Sequence, residues 1–489
     1  VTGGKLWRRL ARVWWVPSTY FAEGFPYTLV RQLSTVYFRD AGASLEAIGL
    51  TSLYGLPWTL KFLWAPLVDA YSTKRRWLVA WEGVLVVLVG VLAAATTLPA
   101  ALPAVAVAFL LVAVASATHD IAVDGYYLEA LNRTEQARWV GFQAGFYRLA
   151  MVTGGGVIVV ISGWTSFPVA FAAAAVVLAG LLTLHSLRLP AVETPQLPGG
   201  QLVARLLTPV RTLGLLVAAA AVVAGLAYLQ RPAAQPLREA LAQQLPRWIV
   251  VALLAVLAVL AVRAPALKRR LYASRSTYAL AFIDYLDQPR AVLILAFVAT
   301  YRAGESFLLN MAYPFLRDIG VSRASYGLAY GTFGISASIA GGLLGGMLIA
   351  RTSLKRCIWP FVLAQNVLNL FYMGMAMLYR PIFQRPEAGS ADIRLVTALI
   401  VVEAFGAGLG TAAFMVFIMR TTRPEHKAAH FAIATGLATV SATFAGVLSG
   451  FIADSLGFTA FFAFTFLATV PSMAMIPFLP HLENARRET

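Results

Sequence analysis

The sequence predicts an all-α integral membrane protein built from two six-helix bundles plus two extra transmembrane helices, about 14 in total. Three observations carry this expectation. Hydrophobic residues make up 59% of the 489, with a mean hydropathy of +0.73. Asp, Glu, Lys and Arg supply only 12%, roughly half the share usual in soluble domains, which excludes a water-soluble protein of this length. Apolar stretches long enough to cross a bilayer recur between charged or Pro/Gly-rich breaks. Cys357 is the only cysteine, so no internal disulfide can form, and the five histidines offer no metal-ligand spacing.

In chain order, helices are expected at roughly 13–38, 45–69, 77–98, 102–130, 138–163 and 166–187, and again at roughly 291–316, 324–350, 357–379, 395–419, 428–453 and 457–480. Between the sets lie two apolar runs near the minimum spanning length, around 212–229 and 248–263. The expected domains are residues 1–188, a central linker with the two additional helices over 189–290, and residues 291–489. Lys5, Arg8, Arg9 and Arg12 precede a first apolar stretch that is too long, and lacks the small-residue site, for a cleavable signal peptide.

The net charge of +17 follows from topology. With the N-terminus in the cytoplasm, the short loops place about 26 Lys and Arg residues inside and 9 outside, the bias that sets orientation. Both termini are therefore expected in the cytoplasm. The cations are spread over many loops rather than collected on one soluble face, so no nucleic-acid partner is expected.

A polar tract repeats between the halves. Phe38-Arg39-Asp40-Ala41-Gly42-Ala43-Ser44 ends the first helix, and Leu316-Arg317-Asp318-Ile319-Gly320-Val321-Ser322 ends the helix near 300. Gly49 and Gly327 follow at the same distance, and a basic loop follows the second helix of each half. Two parallel six-helix repeats joined by a long cytoplasmic connection resemble the plan of the major facilitator superfamily.

Ionisable residues at helix-centre depth cost at least about 2.5 kcal/mol, so each asks for a partner or a function. Candidates for proton coupling are Glu23, Asp120, Asp124, Glu305 and Glu403. Asp120 and Asp124 are four apart and share a helical face; they repel unless a cation or a proton intervenes, and a carboxyl that takes up and releases a proton is what coupling requires. Arg148 on the next helix is the expected counter-ion. A purely structural ion-pair network is the open alternative, and Lys61 either joins the site or reaches the cytoplasmic surface along its apolar stem. Tyr20, Tyr27, Arg31, Lys61, Tyr127, Arg148 and Arg302 are the candidate solute-binding residues, since tyrosine hydroxyls with arginines and carboxylates suit a polar solute. Asp69 with Lys74, Arg75 and Arg76 reads as a cytoplasmic latch. Gly341-Gly342 with Gly345-Gly346, and Gly406 with Gly410, read as close-packing positions. Neither a phosphate-binding loop nor a Gly-x-Ser-x-Gly elbow nor a His-Glu-x-x-His zinc motif occurs, so no enzyme and no cofactor beyond a proton gradient are expected.

The segment Lys61-Phe62-Leu63-Trp64-Ala65-Pro66-Leu67-Val68-Asp69 resembles the AmpG-type muropeptide permeases, a major facilitator family related to acetyl-CoA transporters. Ala115-Ser116-Ala117-Thr118-His119-Asp120-Ile121-Ala122-Val123-Asp124 is similar to a second signature of that family, and Tyr147-Arg148-Leu149 with Gly154-Gly155 to a third. Glu403 followed by Gly406, Gly408, Gly410, Thr411, Ala412 and Phe414 looks like its Gly-rich tenth bundle helix. Ala70 stands where the family usually has Arg, and His119 where Gln is more usual. The resemblance implies proton-driven import of anhydro-muropeptides through the bacterial cytoplasmic membrane, feeding peptidoglycan recycling and indirectly β-lactamase induction. It further implies a monomer whose partners are an anionic sugar-peptide and the lipid bilayer. The rival expectations are a carrier of an acyl-nucleotide or amphipathic solute, including export, and a non-transporting receptor or enzyme.

Overall fold

The computed structural model describes residues 14–191, 197–274, 283–382, 390–423 and 427–483. These residues are helical almost throughout, with one isolated parallel bridge between Tyr71 and Leu197. The protein is thus a multi-pass, all-α membrane protein. Eleven helices of the described residues are long and apolar enough to cross a membrane, fewer than the 14 expected, for two local reasons. The first two expected spans are each interrupted: Trp15–Thr28 passes through a π-helical turn at Leu29–Leu33 into Ser34–Asp40, and Leu45–Leu50 continues through a 3-10 stretch at Thr51–Gly55. The last two run together over His430–Phe478, with a break at Gly457, whose φ is 70°.

Contacts divide the chain into two compact units, one of Val1–Ala41 with Tyr54–Leu241 and one of Gly42–Leu53 with Ala242–Thr489. In the first, Trp15–Thr28 packs on Ala101–Ala130 and Arg133–Val152, and Lys74–Ala95 lies between Ala101–Ala130 and Phe167–Arg188. Trp15, Tyr20, Val68, Leu78, Tyr126 and Trp139 form part of its core. In the second, Ile393–Arg420 packs on Ile335–Arg351 and Leu354–Val367, while Lys427–Leu467 packs on Ala303–Asp318 and on Leu45–Leu50. Its core sets the ring contacts of Phe297, Tyr301, Phe414 and Phe417 among aliphatic side chains such as Ile294, Leu354 and Val362. The helix Pro209–Leu229 buries none of its residues, as suits an additional helix whose apolar surface faces lipid.

The repeated polar tract has a structural reason. Gly42 and Gly320 both adopt the left-handed conformation, with φ of 80° and 87°, which stops the preceding helix without a Cβ clash. Two residues on, Ser44 and Ser322 cap the next helix: their hydroxyls accept from the backbone N–H of Ala47 at 3.2 Å and Ser325 at 3.1 Å. The basic loops repeat the device, with Thr73 and Ser353 accepting from Arg76 and Arg356. Gly320→Val places a β-branched residue at positive φ and is expected to cost about 1–2 kcal/mol, read as a lowered thermal midpoint of the purified protein, with Gly42→Val behaving alike.

Candidate functional site

In the first unit, Ala101–Ala130 presents Asp120 and Asp124 one turn apart toward the segment Lys61–Leu63 and the helix Trp15–Thr28. Pro57 and Pro66 bracket that segment, and the backbone there winds as a short 3-10 turn, which carries the Lys61 stem across to the aspartates. The Lys61 ammonium pairs with Asp120 Oδ2 and stands 4.0 Å from Asp124 Oδ2. Tyr20 donates its hydroxyl to Asp124 Oδ1 at 3.0 Å. Glu23, one turn along from Tyr20, is buried and interacts with Asp120, Asp124 and Lys61, and its Oε2 makes no hydrogen bond among the described residues. The site thus gathers three carboxyl groups around one ammonium, and Asp120 is buried while Lys61 and Asp124 are partly exposed.

Lys61, not Arg148, is the counter-ion of the aspartates. The Arg148 side chain is exposed and has no ion pair among the described residues. It lies one residue past Tyr147, whose carbonyl is against Gly24, so the helix turns Arg148 away from the face packed on Trp15–Thr28. Tyr127 donates to the Gln136 carbonyl at 2.6 Å and meets the Tyr20 ring edge-on at 5.6 Å, supporting Tyr20 from behind. Tyr27 packs edge-on against Trp58 at 4.9 Å. Arg31, half-buried, lies along Gly55, where an added Cβ would stand 2.9 Å from its Nη1.

Two of the residues expected to form a cytoplasmic latch, Asp69 and Lys74, are brought together. Buried Lys74 stands 2.8 Å from exposed Asp69, donates to the Val68 carbonyl at 2.9 Å and lies 3.8 Å from Glu129. Arg75 donates to the Ser186 carbonyl at 3.3 Å, and Arg76 is exposed. Glu129 was not anticipated, because only the fold brings the end of Ala101–Ala130 against Lys74.

In the second unit the two expected carboxylates differ. Glu305 receives two bonds from Arg302, at 3.0 and 2.9 Å, and a third from Gln365 at 3.0 Å, so its charge is compensated. Glu403, 1% exposed, has no ion pair among the described residues, and its Oε1 makes no hydrogen bond. Asn366, Asn369 and Tyr372, buried on Leu354–Val367 and its continuation, also keep side-chain polar atoms without partners among the described residues. These amides escaped the sequence reading because an Asn in a long apolar run shows no periodic signal.

One cluster was read only at His119. Glu82, His119 and His185 converge inside the first unit, with Glu82 Oε1 2.6 Å from His185 Nδ1 and 3.5 Å from His119 Nε2. Their sequence separations of 37 and 66 residues carry no spacing signal.

Residues 293–489 match the family model of the Major Facilitator Superfamily. Over nearly its whole length the chain is similar to an uncharacterized protein of Haemophilus influenzae, 25% identical over 478 residues that cover 96% of this chain and 95% of the relative. It is also similar to the anhydromuropeptide permease of Escherichia coli K12, 24% identical over 471 residues covering 93% of this chain and 77% of the permease. The crystal structure of an auto-inhibited POT family peptide transporter shares the fold, with a TM-score of 0.65 at 15% identity over 97% of this chain and 98% of that one.

Proposed function

We propose that this membrane transporter, which carries the major facilitator fold, imports anhydro-muropeptides into the bacterial cytoplasm by proton symport, with its two halves alternating access to a central site. Its relatives and its fold are those of transporters, not enzymes. The solute assignment is supported by the similarity to a permease of that name over most of both chains and by the Lys61–Asp69 and Ala115–Asp124 motifs. Both termini are assigned to the cytoplasm from the distribution of Lys and Arg over the short loops.

The observation that carries the coupling is the imbalance at Lys61. Glu23, Asp120 and Asp124, all ionised, place three negative charges on one ammonium. At this depth an uncompensated charge is expensive, so uptake of a proton relieves the imbalance and its release restores it. Asp124 is the member assigned to exchange that proton: it is partly exposed and farther from the ammonium than Asp120. Arg148, exposed and without an ion pair among the described residues, is assigned to the carboxylates of the solute.

Uptake of labelled anhydro-muropeptide into proteoliposomes under an imposed pH gradient tests this reading. Asp124→Asn is expected to abolish gradient-driven accumulation while leaving solute binding and solute exchange nearly intact. Arg148→Ala is expected to weaken binding about 10- to 100-fold, the value of one charge-assisted hydrogen bond. Uptake indifferent to the gradient removes the proton. A thermal shift with acyl-nucleotides and none with wall fragments reassigns the solute.

A further inference from the structure

The most deeply buried charges of the first unit lie apart from Lys61. Glu82 is 1% exposed and His119 and His185 are wholly buried; they come from Lys74–Ala95, Ala101–Ala130 and Phe167–Arg188. A fourth helix closes the cluster. His185 Nε2 stands 2.9 Å from Ser18 Oγ, and Ser18 donates to the Trp15 carbonyl at 3.1 Å.

Counting hydrogens leaves two arrangements at His185. A serine hydroxyl has one proton to give. With that proton on the Trp15 carbonyl, the Ser18 oxygen accepts from His185 and Nε2 carries a hydrogen; with it on His185 instead, Nε2 only accepts. On the other side of the ring the Glu82 carboxylate accepts from Nδ1. The first arrangement, donating from both nitrogens, is an imidazolium, and the 2.6 Å contact, shorter than the about 2.7–2.9 Å usual for charge-assisted N–H···O bonds, fits it.

Charge balance points the same way, since an ionised carboxylate this deep needs a cation beside it. The charged groups of the four helices leave few candidates. Lys74 is engaged by Asp69 and the Val68 carbonyl, and Arg75 by the Ser186 carbonyl. Arg76 and Arg188 are exposed near helix ends, and Glu23, Asp120, Asp124 and Glu129 add only negative charge. The imidazoles are the groups within reach of Glu82.

We propose that Glu82, His119 and His185 form a second proton-binding site, in which a proton resides on His185 as an imidazolium bound to the Glu82 carboxylate. His119, whose two ring nitrogens make no hydrogen bond among the described residues, is its third member, with Nε2 3.5 Å from Glu82 Oε1. The site ties three helices of the first unit together by charge, and it stands whatever solute the protein carries.

The test is ¹⁵N spectroscopy of the full chain, histidine-labelled and held in detergent at neutral pH. A doubly protonated imidazole signal is expected that disappears in His185→Asn and in Glu82→Gln and persists in Glu82→Asp and in His119→Asn. Wild-type protein with no doubly protonated ring at this pH overturns the proposal by itself, even where a variant fails to fold. A doubly protonated ring that survives Glu82→Gln, or that vanishes with His119 instead of His185, overturns it equally.

Discussion

Lys61→Met is expected to abolish gradient-driven uptake and to destabilise the protein. The substitution keeps the length and apolar stem of the side chain but leaves Asp120, which is buried, without its cation. Removing one partner of a fully buried pair costs about 3–5 kcal/mol. The Lys61 side chain is 32% exposed, so solvent screening brings the expected loss down to about 2 kcal/mol. Lys61→Met/Asp120→Asn removes both charges together and is expected to recover most of that stability without recovering uptake, since Glu23 and Asp124 then face each other with no cation between them. Thermal unfolding in detergent and uptake into proteoliposomes, measured on the two single variants and the double variant, separate the two contributions through their non-additivity. Wild-type uptake and stability in Lys61→Met would mean that the ammonium only reaches for the membrane surface.

That pairing marks how far the residues could be read without the fold. The helical spans were legible because hydropathy alone sets them, and the expected limits agree with the observed ones to within a turn at most ends, as at Ala101–Ala130 and Phe167–Arg188. The tract around Gly42 and Gly320 was legible because a helix stop followed by a cap is a local device. Asp120 and Asp124 were legible as a pair through their spacing of four. Their cation was not, because choosing between Lys61 and Arg148 depends on which face of Arg133–Val152 meets Trp15–Thr28. Glu82 and His185 were hidden for a related reason. Each sits within two turns of Arg75, Arg76 or Arg188, where a charge passes for an interfacial one, and only the packing of Lys74–Ala95 on Phe167–Arg188 puts them inside.

Glycines make the same point, and they carry the second large effect. The pairs Gly341-Gly342 and Gly345-Gly346 look equivalent in the sequence, yet the helices Ile335–Arg351 and Ile393–Arg420 use them unequally. A Cβ on Gly408 would press on the Ser338 carbonyl and stand 2.9 Å from the Gly342 nitrogen; one on Gly341 would press on the Phe405 carbonyl. Backbone meets backbone at this crossing, so no side-chain rotation relieves the clash and the helices must separate. Gly408→Val is therefore expected to cost about 3 kcal/mol, the upper end of overpacking penalties, and to displace Glu403 on the same helix. A Cβ on Gly346 would meet nothing within 4 Å. Gly346→Ala is accordingly expected to be tolerated or to stabilise by up to about 1 kcal/mol, the helix-propensity difference. The thermal midpoint should fall in Gly408→Val and hold or rise in Gly346→Ala, and equal losses would mean that the crossing is looser than these carbonyl contacts require.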